Sequence, residues 1–490
     1  MSFLAFPDGI RCDKTLCREG VQVLQSQQFR RQFMEAIEKF AAAFAGAVWN
    51  LPLVFALFGA GALFTLINRG IQLTMFKHAI EVVMGKFDKP GDKGEISHFQ
   101  ALCAALSATI GLGNIAGVAV AITVGGPGAV FWLWVAGFLG MATKFTEVSL
   151  AMMYRETDEE GHVHGGPMYT IKNGLGKAWM PLASIYALFT ILSSFGAGNM
   201  FQANNLAGAL KAGYGVPVWA SGIALSAVAG LVLIGGIKRI GTVAGRLVPT
   251  MFALYSLGAI GIIVLNASAV PEVFSMIFTG AFNGTAAVGG FAGVAVRQVL
   301  VQGVRRACFS NEAGMGSAAM AHSAAKTAEP IREGVVALLE PFVDTIVVCT
   351  MTAMVLLITG AWSDTGGLQG AALTAEAFSR VYGKPGAILV DLAVILFAFS
   401  TIVSWSYYGE QGTVYLFGLG KVKVYRYVFI GFIMIGSLWK LGPVLDISDA
   451  VFGLMAIPNL LVSVLLSKKL AAKTREYIAD YRAGKFPKTA

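Results

Sequence analysis

Two short runs of small and polar residues interrupt otherwise apolar stretches, Ser107-Ala-Thr-Ile-Gly-Leu-Gly-Asn114 and Ser310-Asn-Glu-Ala-Gly-Met-Gly-Ser317. Aligned on their glycines, Gly111, Leu112, Gly113 and Asn114 match Gly314, Met315, Gly316 and Ser317. A glycine inside a helix costs ~1 kcal/mol relative to alanine, so each pair predicts a broken helix. A break exposes N–H groups and partial positive charge at one new end and free carbonyls at the other. Those two ends together suit a zwitterion and demand no nucleophile. Small-residue packing faces of the GxxxG kind are the alternative for either run alone; two matched runs in matching positions favour breaks lining a site.

Polar side chains near these runs are the next candidates, because an ionisable group at bilayer depth costs ~2.5–3.5 kcal/mol on insertion scales. Glu312 lies inside the second run, either serving function directly or capping a half-helix and pairing with Arg305 or Arg306. Lys144 and Glu147 stand three apart and are expected to pair with each other. Glu340 and Asp344 form a like-charged i,i+4 pair, which requires protonation or a cationic partner. Asp391 and Glu410 read as interfacial, while Gln202, Asn204 and Asn205 interrupt an apolar helix as interhelical glue would. Trp405 follows Thr401 by four residues and shares its helical face; Ser400 and Thr401 read alone as hydroxyls bonded back to their own helix. His98, His162, His164 and His322 show no metal spacing, and neither G-x-S-x-G, H-E-x-x-H nor a phosphate-binding G-x-x-x-x-G-K-[ST] loop occurs. Hydrolytic, metalloenzyme and ATP-driven readings therefore have no residues to rest on. A channel would need a filter repeated by oligomerisation, whereas this chain carries its own internal repeat and is expected to work as a monomer.

The elements that position these residues follow from composition. Of 490 residues 56% are hydrophobic and 13% charged, and mean hydropathy is +0.67. Apolar runs long enough for a ~30 Å hydrocarbon core recur at 47–67, 97–125, 128–153, 178–208, 216–236, 241–266, 290–325, 332–360, 386–414, 426–440 and 446–467. Because lipid offers the backbone no partners, these runs must be helices. The expected fold is an all-α integral membrane protein of about 11 transmembrane helices, a 5+5 inverted repeat with two broken helices plus one extra N-terminal helix. Its divisions are a tail over 1–43, the extra helix over 44–70, the repeats over 97–266 and 288–467, and a basic tail over 468–490. The polar stretch from Phe274 to Thr285 reads as an extramembrane or re-entrant hairpin.

Lys and Arg choose the orientation. One set of loops carries Arg69, Lys77, Lys86, Lys89, Lys93, Arg155, Lys172, Lys177, Lys238, Arg239, Lys326, Arg332, Lys421, Lys423 and Arg426, with the tail cluster from Lys468 to Lys488; the other holds only Lys211, Arg380, Lys384 and Lys440. The first set and the C-terminus are expected in the cytoplasm and the N-terminus outside, against the pull of Arg30, Arg31 and Lys39. The pI of about 9.2 is thereby an orientation signal and not a nucleic-acid footprint. The first 40 residues lack the apolar core and cleavage site of a signal peptide. Five scattered cysteines form no disulfide or zinc framework.

The runs GLGNIAGVA, GGPGAVFWLW, GGPMYTI, GNMFQANN, FSNEAGMGSA and FAFSTIVSWSYYGE resemble the alanine/glycine:cation symporter family over roughly residues 45 to 465. That resemblance implies the leucine-transporter (LeuT) fold in the cytoplasmic (inner) membrane, no cofactor, and symport of a small neutral amino acid, alanine or glycine, with Na+ as coupling ion. It implies a substrate site of Gly111, Gly113, Asn114, Gln202, Gly314, Met315, Gly316, Ser317 and Trp405. For sodium it implies the carbonyls of Ser107, Ile110 and Phe397 with the hydroxyls of Ser400 and Thr401. Leu112 departs from the family pattern, which places threonine there. Among carriers the rival reading is a proton-coupled amino-acid permease, separated by ion dependence.

Overall fold

The structure is a computed structural model that describes residue 32 and residues 35–89, 91–283, 292–439 and 442–488. Most of the 1–43 tail, with Arg30, Arg31, Cys12 and Cys17, lies outside the described residues.

Asn50 caps the first helix by accepting the Leu51 N–H at 2.8 Å, and Pro52 sits in the first turn, where a missing donor costs nothing. That helix, α1 (Leu51–Ile67), continues a helical segment from Glu35. After a segment on the basic side comes α2 (His98–Thr109), started by a capping box in which Ser97 and Gln100 each bond the other's backbone. It breaks, turns through the wide coil Gly113–Gly117, and resumes as α3 (Val118–Gly125), with the two axes bent by 50°. Then follow α4 (Ala129–Met153), α5 (Met180–Phe195), α6 (Phe201–Tyr214), α7 (Val218–Leu233), α8 (Gly236–Leu265) and α9 (Val270–Asn283). The second broken segment is α10 (Ala292–Asn311) and α11 (Ala318–Ser323). After it come α12 (Pro330–Ala337), α13 (Thr350–Ile358), α14 (Gly370–Tyr382), α15 (Lys384–Phe417), α16 (Val422–Leu438), α17 (Gly442–Leu454) and α18 (Ala456–Arg482).

Seven described helices are long and apolar enough to cross a membrane, and the bent pair makes eight. On α8 both faces are apolar: Met251, Tyr255 and Ile262 are buried while Leu257, Val264 and Leu265 are exposed. A helix apolar all round belongs in lipid. Among the described residues each of the eleven sequence-derived spans falls mainly on helix, although the pieces around Val218–Leu233, Val422–Leu438 and the second break are shorter or more polar than a simple span. The stretch from Phe274 corrects the hairpin expectation. It is the body of α9, held because Phe274, Phe278 and Phe282 pack against Phe131, Trp132 and Trp134 of α4. Gly284 and Thr285 lie outside the described residues.

The two broken segments pack against each other in the bundle interior, with α4 beside the second break and α15 beside the first. A two-stranded hairpin pairs Glu156–Thr157 with Val163–His164 on the basic side.

Candidate functional site

At the first break, α2 ends on Ile110, whose ψ of 89° leaves the helical region. The α15 hydroxyls reach across to this end. Ser107 Oγ donates to the Ser400 carbonyl at 2.8 Å, and Ser400 Oγ lies within donating distance of the Ser107 carbonyl (3.1 Å) and the Phe397 carbonyl (2.9 Å). Thr401 Oγ1 donates to the Ala108 carbonyl at 3.3 Å. Hydroxyls expected to bond only within their own helix thus also knit α15 to α2, gathering oxygens of the kind a hard cation takes. Gly111 is required by this approach: a Cβ there would lie 2.6 Å from Thr401 Oγ1. Asn114 folds its side chain back, accepting the Gly111 N–H at 2.8 Å and donating to Asp344 Oδ1 at 2.6 Å.

The second break is built differently. Glu312 holds a left-handed φ of 57°, a conformation that non-glycine residues occupy at a cost and that clusters at functional sites. Its carboxylate receives Trp405 Nε1–H at 2.9 Å and a short hydrogen bond from Ser317 Oγ. Neither Arg305 nor Arg306 pairs with it; Arg305 goes instead to Asp449, and the Arg306 guanidinium lies over the Phe309 ring. Gly314 and Gly316 take φ of 95° and 77°, and added Cβ atoms would meet Leu57 at 2.3 Å and Pro167 at 2.4 Å. These glycines therefore serve the turn and its packing. The Gly314 N–H and the Asn459 amide both donate to Glu147 Oε1 (2.7 and 2.8 Å), and Tyr186 OH donates to the Met315 carbonyl at 2.9 Å.

Between the breaks lies a small space of about 20 Å³, lined among others by Thr109, Gly111, Gln202, Glu312, Thr401 and Trp405. Phe309 and Phe452 complete its wall. Of the residues expected at the substrate site, Gly111, Gly113, Gln202 and Trp405 line it. Asn114, Gly314, Met315, Gly316 and Ser317 are buried behind it, shaping the breaks from outside. Gln202 is the pointed case. Its Nε2 donates to the Ala197 carbonyl at 3.3 Å, while its buried Oε1 has no hydrogen-bond partner among the described residues. Leu112 lines a neighbouring cavity and not this one.

That neighbour is a vestibule of about 730 Å³, whose wall includes Gly113, Asn205, Arg306, Phe309 and Asp391. A third cavity of about 150 Å³ shares Ala197 and Phe309 with the central space and Phe201 and Arg306 with the vestibule. The Arg305–Asp449 ion pair sits in it. On the basic side the path is shut: Lys326 N–H donates to the Ile96 carbonyl at 2.8 Å, and Glu95 N–H donates to the Ala324 carbonyl at 2.8 Å. The Arg155 guanidinium then ties the carbonyls of Lys93, Ser323, Ala325 and Thr327 at 2.6–3.0 Å.

Several partners differ from those the sequence suggested. Lys144 pairs with Glu340 at 3.1 Å and not with Glu147, since a neighbouring helix offers a carboxylate that the i,i+3 position does not aim. Glu340 thus has its cation, and Asp344 has hydrogen bonds from Asn114, Ser310 and Thr345. Glu410 pairs with Arg426 at 2.7 Å. Asn204 is glue, donating to the Gly436 carbonyl at 3.0 Å across to α16. The role of Asp344 in joining the two breaks through Asn114 and Ser310, and the ring pair Phe309 and Phe452, were missed, because nothing local in sequence marks their neighbours.

A sequence profile of the sodium:alanine symporter family matches residues 34–490. The sodium/alanine symporter AgcS of Methanococcus maripaludis is 41% identical over 437 residues, covering 88% of this chain and 95% of its own. The probable sodium/glutamine symporter GlnT of Bacillus subtilis is 36% identical, covering 90% of each. Among solved structures, MhsT in complex with L-phenylalanine superposes with a TM-score of 0.52 at 16% identity, covering 77% of this chain and 90% of that one. This likeness is one of fold, the leucine-transporter fold with its two interrupted helices. With membrane-crossing helices, two facing breaks and a family match over nearly its whole length, the chain is a transporter that belongs to the sodium:alanine symporter family.

Proposed function

We propose that this protein carries a small neutral amino acid, alanine or glycine first, across the cytoplasmic membrane together with Na+ by alternating access. The observation that carries the substrate reading is the central space itself. It is small, walled by Trp405, Phe309 and Phe452, and offers an unpartnered Gln202 oxygen and the Glu312 carboxylate beside the first break. The Glu312 carboxylate and helix-end carbonyls suit an ammonium, and helix-end N–H groups suit a carboxylate. Asn114, Gly314, Met315, Gly316 and Ser317 hold these ends in shape.

Sodium is assigned to the oxygens around Ser107, Ile110, Phe397, Ser400 and Thr401, supported by the cross-helix convergence of hydroxyls and carbonyls there. One ion moving down ~100 mV gains ~2.3 kcal/mol. A tenfold gradient adds ~1.4 kcal/mol, enough together for accumulation of a few hundredfold. The vestibule is walled by Lys211-side and Arg380-side helices, the weakly basic set, and so faces outward; the closed, Arg155-tied side and the C-terminus face the cytoplasm. The functional unit is the monomer, with repeats over 97–266 and 288–467 behind the extra helix of 44–70.

Counterflow of labelled alanine in proteoliposomes, with and without sodium, tests the reading. Leucine should compete ~10–200-fold less well than alanine, the worth of excess methylenes in a tight pocket. Thr401→Ala should raise the sodium concentration for half-maximal uptake in a normally inserted protein. Uptake driven by a proton gradient in sodium-free buffer, or unchanged sodium dependence in both Thr401→Ala and Ser400→Ala, would overturn it.

A further inference from the structure

Behind the second break runs a file of buried ionisable side chains that neither the substrate space nor the sodium oxygens use. It begins at Asp88, half-exposed on the basic face, whose Oδ1 is 3.9 Å from His98 Nε2. His98 Nδ1 makes a short contact with Glu333 Oε2, and Glu333 Oε1 is 2.6 Å from His322 Nδ1. His322 Nε2 lies 3.7 Å from Glu340 Oε2, and Glu340 Oε1 lies 3.1 Å from Lys144 Nζ. Beyond Asp88, which lies in the segment before α2, four separate helices supply these groups: α2, α4, α11, and the continuous segment from α12 to α13. Their side chains beyond Asp88 are at most 2% exposed.

Two features mark the file as more than structural. First, the charges do not balance. Around Lys144 and the second break stand the carboxylates Glu147, Glu312, Glu333, Glu340 and Asp344. Against five carboxylates stand Lys144, the imidazoles of His98 and His322, and the Arg155 guanidinium, which keeps its charge while bonded to backbone carbonyls and lies in the field of Glu333. Arg332 is turned away to the Phe87 carbonyl. Even with both imidazoles protonated, one carboxylate charge is unmatched, and with both neutral three are. Each unmatched buried charge costs several kcal/mol, so the cluster holds protons or cations. Second, His98 Nε2, His322 Nε2 and both Glu340 oxygens are buried without aligned hydrogen-bond partners among the described residues. Those atoms border the two gaps in the file. Tyr408 of α15, its hydroxyl also unpartnered among the described residues, faces the same region.

We propose that Asp88, His98, Glu333, His322, Glu340 and Lys144 form a proton-binding relay from the basic face to the back of the second break, through which cytoplasmic protons enter the transport cycle. The transfers balance atom by atom. A proton taken from water by Asp88 passes to His98 Nε2 while the Nδ1 proton moves to Glu333 Oε2. Glu333 then turns its carboxyl so that the protonated oxygen faces His322 Nδ1 and releases the proton there, and His322 releases from Nε2 to Glu340, where it weakens the hold on Lys144. Each imidazole gains at one nitrogen what it loses at the other, and the steps at 3.9 and 3.7 Å are the ones that must shorten. With Glu340 neutral, the Lys144 ammonium is drawn toward Glu147 and Glu312, its other charged neighbours, and so toward the groups that hold Gly314 and the Trp405 wall. The relay lies apart from the proposed sodium oxygens, and its existence does not depend on which amino acid is carried.

Two experiments test it. In right-side-out membrane vesicles with external pH and sodium gradient fixed, wild-type uptake should change several-fold as internal pH moves between about 6 and about 8, where imidazoles titrate. His98→Gln and His322→Gln should flatten that response and leave the sodium concentration for half-maximal uptake unchanged. The second experiment needs no substrate. On an acid pH jump of purified protein, infrared difference spectra should show a protonated-carboxyl band that is missing in Glu340→Gln, an isosteric change that keeps the fold testable if His322→Gln inserts poorly. A wild type indifferent to internal pH, a response retained in both histidine variants, or a carboxyl band unchanged in Glu340→Gln would each overturn the relay. Loss of sodium-driven alanine uptake in the wild type would instead strike the substrate reading and leave the infrared test standing.

Discussion

Gln202 illustrates how one side chain acquires a role from its surroundings. In sequence it is one of three amides interrupting an apolar helix, and interhelical glue is the simplest reading of each. Asn204 fulfils it. Gln202 does not, because its Nε2 is spent on its own helix and its Oε1 is left bare in the wall of the central space. A buried acceptor without a partner is costly unless something arrives to fill it. An ammonium bonded to that oxygen gains ~1.5–3 kcal/mol. Gln202→Ala should therefore raise the substrate concentration for half-maximal uptake by ~10–100-fold, with the maximal rate much less changed. Concentration-dependent uptake at saturating sodium checks this; an unchanged half-saturation would make Gln202 a packing residue after all.

At the scale of elements, both breaks were legible from glycine spacing, but the reasons for the glycines were not. Gly111 is glycine because α15 presses Thr401 against it, and Gly316 because Pro167 and Asn459 close on a residue already at positive φ. Gly316→Ala should accordingly fail by loss of folded protein at the membrane, seen as lower abundance and thermal stability, and not by loss of affinity in the protein that remains. The positions that sequence placed badly share one trait: their partners lie on another helix. Lys144 looks paired to Glu147 when α4 is drawn alone, and turns to Glu340 once the second repeat packs on it. Asp344 looks like half of a like-charged pair and becomes the residue joining both breaks. Arg155 was read only as an orientation charge, yet it fastens the segment before α2 to the segment after α11 through four carbonyls. Lysine keeps the charge but not the planar fork that spreads over several acceptors. Arg155→Lys should loosen this seam and raise the reactivity of a thiol placed at Ala325, which is buried in it. Thiol labelling from the basic face measures that directly, and equal reactivity in both backgrounds would deny Arg155 its closing role.

For the molecule as a whole, a carrier differs from a pore in that its two entrances exclude each other. The vestibule at α6 and α14 is open while the Arg155 seam is closed, one of the two arrangements such a mechanism requires. The packed bundle does not deform continuously, so opening the seam must be accompanied by closure around Arg305, Asp449 and the 150 Å³ cavity between them. A ligand shifts such an equilibrium only by its differential affinity for the two states. If sodium binds best while the first break is set against α15 as it is here, sodium alone should hold the vestibule open. Sodium with alanine should then release the molecule toward the other state. Two thiol reporters read this: Ala212→Cys on the vestibule wall and Ala325→Cys in the seam. Cys103, Cys308 and Cys349 are buried and contribute little background, and Cys12 and Cys17 would be changed to serine. Labelling at Ala212→Cys should rise with sodium and fall when alanine is added, while labelling at Ala325→Cys moves oppositely by a comparable factor. Thiols that label together, or that ignore both solutes, would describe a pore or a rigid bundle and would remove alternating access as the way this chain moves its cargo.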